Sequence, residues 1–233
     1  MFPIHDDNPV SITPYVTYAL VGACVVVFLW QLSHGPQGQQ AIAYGLGLVP
    51  AVFFGDRTLP PELVMVPTGL TLVTSMFLHG GFMHLLGNML YLWIFGNNIE
   101  DAMGHGRFIA FYLLCGAAAA LAQGLPNPES PIPMIGASGA ISGVLGAYLL
   151  LYPRARVMVA IPFGFFIHTV YVPAMLVLGL WFVIQIVSSL GASPEEGGVA
   201  WFAHIGGFVA GLVLIPFFRH RDVPMWQQQR RRR

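Results

Sequence analysis

The stretch MIGASGAISGVLG, residues 134–146, decides which fold and which chemistry this sequence supports. It is almost wholly small or apolar, yet Ser138 stands in it between Ala137 and Gly139. Small residues of this kind let membrane helices approach each other closely. Ser138 is therefore either a helix-packing residue or a hydroxyl that another group must reach.

The composition predicts a membrane protein. Of 233 residues, 56% are hydrophobic and only 9% are charged, whereas soluble domains carry about 25% charged residues. So few charges cannot cover a water-facing surface, and we expect an all-α fold with several membrane spans. The formal net charge of zero argues against nucleic acid as a partner. Cys24 and Cys115 lie in apolar runs and predict neither a disulfide framework nor a metal site.

Six segments are apolar and about as long as the 20 residues that a helix needs to cross the bilayer, although the fourth is short. They are predicted at 15–33, 80–99, 107–125, 138–152, 165–190 and 201–218. The chain is therefore expected to form a single six-helix membrane domain. The expected boundaries are 15–218 for this domain, 34–78 for a long first loop within it, and 1–14 and 219–233 for the two tails.

The arginines predict the orientation, because cytoplasmic loops carry an excess of basic residues. All ten basic residues are arginine, and with the N-terminus inside only Arg57 falls on the outer side. We therefore expect both termini in the cytoplasm. We also expect the chain to lie in the inner (plasma) membrane. The starts of the second, fourth and sixth spans then lie on the outer side.

Four polar residues inside these spans are candidates for a site, because such residues are costly in a membrane and usually functional. His84 and Asn88 are four residues apart and share one helix face. Ser138 begins the short fourth span, and His204 lies near the start of the sixth. A serine that begins a short helix lies below the membrane surface, which implies a hydrated pocket.

The four side chains match the needs of acyl transfer. A serine hydroxyl becomes a strong nucleophile when a base removes its proton, and His204 is the candidate base for Ser138. An imidazole and an asparagine amide can donate hydrogen bonds to the developing oxyanion, which suits His84 and Asn88. No carboxylate partner is evident, but a serine–histidine pair suffices for this chemistry.

Each residue also has a structural interpretation. Ser138 could be packing filler, Asn88 could join helices by hydrogen bonding, and His204 could be a satisfied packing contact. Gly207 and Gly211 form a GxxxG pair that indicates close helix contact. Tight packing there would bring His204 to Ser138.

Three motifs occur in order on the second, fourth and sixth spans: HLLGN at 84–88, GASGA at 136–140 and AHIGGFVAG at 203–211. Together they resemble the signature elements of the rhomboid intramembrane serine proteases. The resemblance covers about 65–218 and the first span. It implies a hydrolase that cleaves transmembrane segments of other membrane proteins and uses no metal or cofactor.

The resemblance also implies roles for individual residues. Ser138 would be the nucleophile and His204 the general base. His84 and Asn88, with the backbone N–H of Ser138, would line the oxyanion site. The fifth helix and the loop around 191–201 would form the substrate gate and cap.

Five further residues would have supporting roles. His79 would support the active site from the side of the first loop, and Glu100 would form hydrogen bonds at the cytoplasmic end of the core. Gly139 would let another backbone approach the serine, while Gly207 and Gly211 would be the helix-packing pair.

The sequence departs from many members of the family in two places. Ser142 stands where some members carry a tyrosine that packs on the catalytic histidine, so the sequence leaves open how His204 is held. The first loop lacks a Trp-Arg pair.

Two other functions remain open at this point. The first is a non-catalytic rhomboid-like protein that binds and escorts membrane clients, although such relatives usually lack the serine or the histidine. The second is a small transporter or channel with a polar cavity, although transporters tend to show repeated halves and this sequence shows none. The sequence does not indicate an oligomeric state.

Overall fold

The structure is a computed structural model that describes residues 2–164, 166–191 and 199–227. Its elements are β1 (Phe2–Asp6), α1 (Tyr15–Ser33), α2 (Gly35–Leu46), α3 (Pro50–Phe53), α4 (Thr71–Thr74), α5 (Phe82–Tyr91), α6 (Asn97–Met103), α7 (His105–Gly124), α8 (Ser138–Leu151), β2 (Arg156–Phe163), β3 (Phe166–Pro173), α9 (Ala174–Leu190) and α10 (Trp201–Phe218). Most of the predicted cap, 192–198, and the end of the predicted C-terminal tail, 228–233, lie outside the described residues.

The predicted membrane fold is confirmed as mostly helical. Among the described residues, α1, α7 and α10 are each long and apolar enough to cross a membrane. The segments Pro61–Phe77 and Phe82–Met103 qualify together but meet at a bend of 81°. The helices α8 and α9 are apolar but shorter. The count of six spans stays a prediction.

The predicted first loop, 34–78, is largely structured rather than irregular. It contains α2, α3 and α4, together with short 3₁₀ turns at Pro61–Leu63, Thr68–Leu70 and Ser75–Phe77. The loop is tied to the segment before α8 by paired backbone hydrogen bonds between Leu48 and Met134, at 3.1 and 2.7 Å. This pairing helps to position the extended segment that leads to Ser138.

A three-stranded antiparallel sheet, in the order β1-β2-β3, was not predicted. It corrects the fifth span, predicted at 165–190, because β3 occupies its first part and the helix begins only at Ala174. The paired segments are rich in β-branched and aromatic residues, and Gly164, at φ +60°, occupies the turn between them. Pro173 cannot donate to the ladder, and α9 begins directly after it.

The helix α8 lies at the centre of the molecule, with most of its residues buried. It contacts α10 backbone to backbone: a methyl group on Gly207 would overlap the carbonyl oxygen of Gly139, and one on Gly211 would overlap that of Gly143. Association of helices in lipid depends on close packing, and small residues permit it. These contacts determine the register between the helices that carry Ser138 and His204.

Glu100 is fully buried and lies at the end of the molecule opposite Ser138, where it binds the first turn of α1. Its carboxylate accepts the backbone N–H groups of Val16 at 2.9 Å and Thr17 at 2.7 Å, and also the Thr17 hydroxyl at 2.7 Å. The Nδ1 of His105 lies 2.5 Å from the same carboxylate. A carboxylate there satisfies unpaired helix donors and complements the helix dipole.

From Phe2 onward, the segment predicted as the N-terminal tail, 1–14, is folded against the domain. Its strand β1 pairs with β2, and the Tyr148 hydroxyl donates to the Asp6 carboxylate at 2.6 Å. The Asp101 carboxylate accepts the backbone N–H of Ser11 at 2.8 Å. The sequence did not indicate these contacts because their partners lie about 90 to 140 residues away.

The buried Asp6 makes the stability of the fold depend on pH. Burial raises the pKa of Asp6 to about 6 from 3.8, against the opposing effect of the hydrogen bond from Tyr148. Since the folded pKa lies above the unfolded one, the contribution of Asp6 to stability is complete below about pH 4 and is lost as the pH rises through 6. Ionised Asp6 therefore destabilises the folded state at neutral pH.

We expect Asp6→Asn to remove this dependence and to raise the free energy of unfolding near pH 7.5 by about 2 kcal/mol relative to the wild type. Thermal unfolding in detergent between pH 4.5 and 8 measures the effect as a gap between the two proteins that widens with pH. Asp56→Asn, at an exposed position, is the matched control. Parallel curves for wild type and Asp6→Asn would contradict the prediction.

Candidate active site

Ser138 is the first residue of α8, and the chain reaches it through a glycine with positive φ. Gly136 has φ +130°, and its N–H donates to the Ser75 carbonyl at 2.9 Å. The hydroxyl of Ser142 donates to the Ser138 carbonyl at 2.6 Å, one turn along α8. The hydroxyl of Ser138 has no hydrogen-bond partner among the described residues. It is therefore available to a substrate.

Gly136 has no side chain, and it lies between Ser138 and His84. A methyl group on Gly136 would lie 2.8 Å from His84 Nε2 and 3.6 Å from Ser138 Oγ. The place that such a methyl would fill is thus within reach of both the nucleophile and a ring nitrogen. A glycine is needed here for this space and for its positive φ.

His84 and Asn88 lie one turn apart on α5 and present two donors. The Gly80 N–H donates to His84 Nδ1 at 3.3 Å, so in the neutral ring Nε2 carries the proton. Asn88 is 8% exposed, and its amide nitrogen has no partner among the described residues. Buried donors without partners are rare, which suggests that this one serves a group that binds there.

His79, which precedes α5, is hydrogen-bonded to a side chain of α1. The side chain of Gln31 accepts the His79 N–H at 3.0 Å and donates to the His79 carbonyl at 3.4 Å. The His79 ring packs edge-on against the His84 ring at 5.2 Å. His79 therefore lies behind His84, while Glu100 is remote from the four candidate site residues.

His204 lies on α10, close to the other candidate residues but without a direct bond to the serine. A methyl group on Gly139 would lie 3.8 Å from the carbonyl oxygen of Ala203, the residue before His204, and 2.6 Å from the Ala119 side chain. Among the described residues no hydrogen bond joins Ser138 to His204. Catalytic hydrogen bonds often tighten only when a substrate binds.

Two residues of α9, Gln185 and Trp181, hold His204, and the sequence analysis missed both. The Nδ1 of His204 is 2.7 Å from Gln185 Oε1, and the Trp181 ring lies 5.9 Å from the imidazole. The Trp201 ring also packs edge-on against the imidazole, at 6.2 Å between ring centroids. The isolated glutamine in an otherwise apolar helix was the available signal.

In the ranges 2–164, 166–191 and 199–227, no group of three or more His, Cys, Asp or Glu side chains is arranged to hold a metal ion. The four candidate side chains can supply a nucleophile, a base and two oxyanion donors without one.

Comparison with known proteins extends the resemblance over most of the chain. The family described as the rhomboid domain matches residues 68–221. Rhomboid protein 1, mitochondrial, of Saccharomyces cerevisiae is 29% identical over 92% of this chain and 56% of its own length. Rhomboid protease GluP of Bacillus subtilis is 34% identical over 85% of this chain and 34% of its own length. RHOMBOID-like protein 5 of Arabidopsis thaliana is 33% identical over 61% of this chain and 42% of its own length. This chain thus spans between about a third and just over half of these relatives.

Proposed function

The chain belongs to the rhomboid family, and on that premise we propose that it is an intramembrane serine endopeptidase that cleaves transmembrane segments of other membrane proteins. The similarity to a Bacillus subtilis relative that is named a protease supports this proposal. We further propose that it lies in the plasma membrane, and the arginine distribution supports an orientation with both termini in the cytoplasm.

The observation that carries the proposal is the arrangement around Gly136. An unbonded serine hydroxyl and a protonated His84 Nε2 border the same small space, and the unpartnered Asn88 amide lies one turn from His84. Among the described residues, the Ser138 hydroxyl lacks the hydrogen bond expected of a residue that only packs helices. The Asn88 amide nitrogen likewise lacks the hydrogen bond expected of a residue that joins two helices. A peptide carbonyl placed there would meet a nucleophile and two donors.

The reaction follows from these groups. Ser138 Oγ attacks the carbonyl carbon of the scissile bond while His204 Nε2 accepts the hydroxyl proton. The carbonyl oxygen becomes an oxyanion that accepts hydrogen bonds from His84 Nε2–H and the Asn88 amide. His204 then returns the proton to the leaving amine, and an acyl-enzyme remains on Ser138. A water molecule, deprotonated by His204, then attacks the ester carbonyl. The bond to Ser138 Oγ breaks, His204 returns the proton to that oxygen, and the second fragment leaves as a carboxylic acid.

A fluorophosphonate probe tests the proposal. Detergent-purified wild type is incubated with the probe, and the adduct is mapped by mass spectrometry, with heat-denatured protein as the control. We expect an adduct on Ser138 in the folded protein alone, together with cleavage of a transmembrane substrate in proteoliposomes. A folded wild type that binds such a substrate, leaves it intact and takes up no probe would instead favour a client-binding protein.

A further inference from the structure

We infer that Gln185 is a positioning residue that holds the imidazole of His204 in the tautomer and orientation required of a general base. The inference rests on the proposed function and deepens it, because it assigns a third side chain to a serine–histidine pair that has no carboxylate partner. Gln185 lies on α9, whereas His204 lies on α10.

The contact between the two side chains identifies the tautomer. His204 Nδ1 lies 2.7 Å from Gln185 Oε1, and an amide oxygen can only accept. Nδ1 must therefore carry the proton of the neutral ring, which leaves the lone pair on Nε2 for the Ser138 proton. The contact therefore determines which ring nitrogen can act as the base.

A second hydrogen bond fixes the amide itself. Gln185 Nε2 donates to the Trp181 carbonyl at 3.2 Å, one turn back on α9. A flipped amide would lose this bond and would place an NH₂ group against His204. The side chain is 5% exposed, so water competes little for either contact. The orientation with Oε1 towards His204 is the one that satisfies both ends of the amide.

The surroundings restrict the ring further. Trp181 and Gln185 are four residues apart on one face of α9, so one element contacts both a face and an edge of the His204 ring. The same face packs on α10 through Phe182 and Phe208, whose rings stack at 4.3 Å. The position of the base therefore depends on how α9 lies against α10.

An amide also differs from a carboxylate in its effect on the base. A carboxylate at this position would stabilise the imidazolium and make His204 harder to deprotonate. The neutral Gln185 orients the ring without adding charge. This difference separates a positioning role from a purely structural one in an experiment.

The test compares Gln185→Met, which keeps the side-chain length but removes the acceptor, with Gln185→Glu, which keeps an acceptor and adds charge. We expect Gln185→Met to lower kcat about 10- to 100-fold with little change in KM, part of the roughly 10²- to 10⁴-fold that a positioned base contributes. We expect Gln185→Glu to retain more activity and to move the acid limb of its pH–kcat profile to higher pH. Ser189→Ala is the matched control, because within the described part of the chain that hydroxyl bonds only the carbonyl of Ile186 in its own helix.

Nitrogen NMR of histidine-labelled protein supplies a readout that does not need activity. His204 should be protonated at Nδ1 in the wild type and should lose this preference in Gln185→Met. The inference is overturned if wild-type His204 is protonated at Nε2, or if Gln185→Met matches Ser189→Ala in kcat and pH profile. If the wild type neither cleaves a substrate nor takes up the fluorophosphonate, the proposed function fails, and the NMR result still decides whether Gln185 orients the ring.

Discussion

Ser138→Ala and His204→Ala are each expected to lower the cleavage of a transmembrane substrate by at least about 10³-fold, because nucleophile and base act as a unit. The double variant should be no slower than the slower single variant, since neither residue has a catalytic task without the other. Cleavage in proteoliposomes measures all three rates, and thermal unfolding in detergent confirms that each variant is folded.

Ser142→Ala is the control for the nucleophile. Ser142 lies one turn further along α8, and its hydroxyl donates to the Ser138 carbonyl at 2.6 Å. We expect this variant to keep most of the wild-type rate. Wild-type cleavage by Ser138→Ala, or strictly additive losses in the double variant, would contradict a shared mechanism.

Gly207→Ala is expected to destabilise the protein by about 3 kcal/mol and to abolish cleavage, because the added methyl overlaps the Gly139 carbonyl oxygen rather than a movable side chain. To relieve this overlap α10 must move away from α8, and His204 moves with it. The unfolding midpoint in detergent and the cleavage rate in proteoliposomes measure the two effects.

Gly22→Ala is the matched control, because a methyl group on this glycine of α1 has nothing within 4 Å. It should leave both the unfolding midpoint and the cleavage rate close to those of the wild type. Equal behaviour of Gly207→Ala and Gly22→Ala would show that the two helices have room to spare and that their register does not depend on Gly207.

Much of the candidate site could be predicted because its residue types are unusual in a membrane. Ser138, His204, His84 and Asn88 are polar groups within apolar runs, and each run supplied a motif. The expectation that Gly207 packs closely on another helix agrees with its contact on α8. The catalytic and supporting roles of these residues stay predictions that the experiments above address.

The hairpin of β2 and β3 shows where pattern alone was insufficient. Its strands are short apolar runs, and such runs cannot be told from the beginning of a buried helix by periodicity. Whether such a run forms a strand or a helix depends on a partner strand. Here β2 pairs with β3 and also with β1, which comes from the other end of the chain. The fifth span was therefore predicted to begin too early.

The sequence by itself determined that this is a membrane protein of mostly helical fold, and it identified the family through three motifs. Hydropathy and residue type are properties of the chain, so these conclusions needed no partner residues. Only the tertiary structure decided that Glu100 binds the start of α1 and that Gln185 contacts Nδ1 of His204. Such contacts depend on the register and rotation of helices that come from distant parts of the chain. A local sequence pattern does not record either quantity.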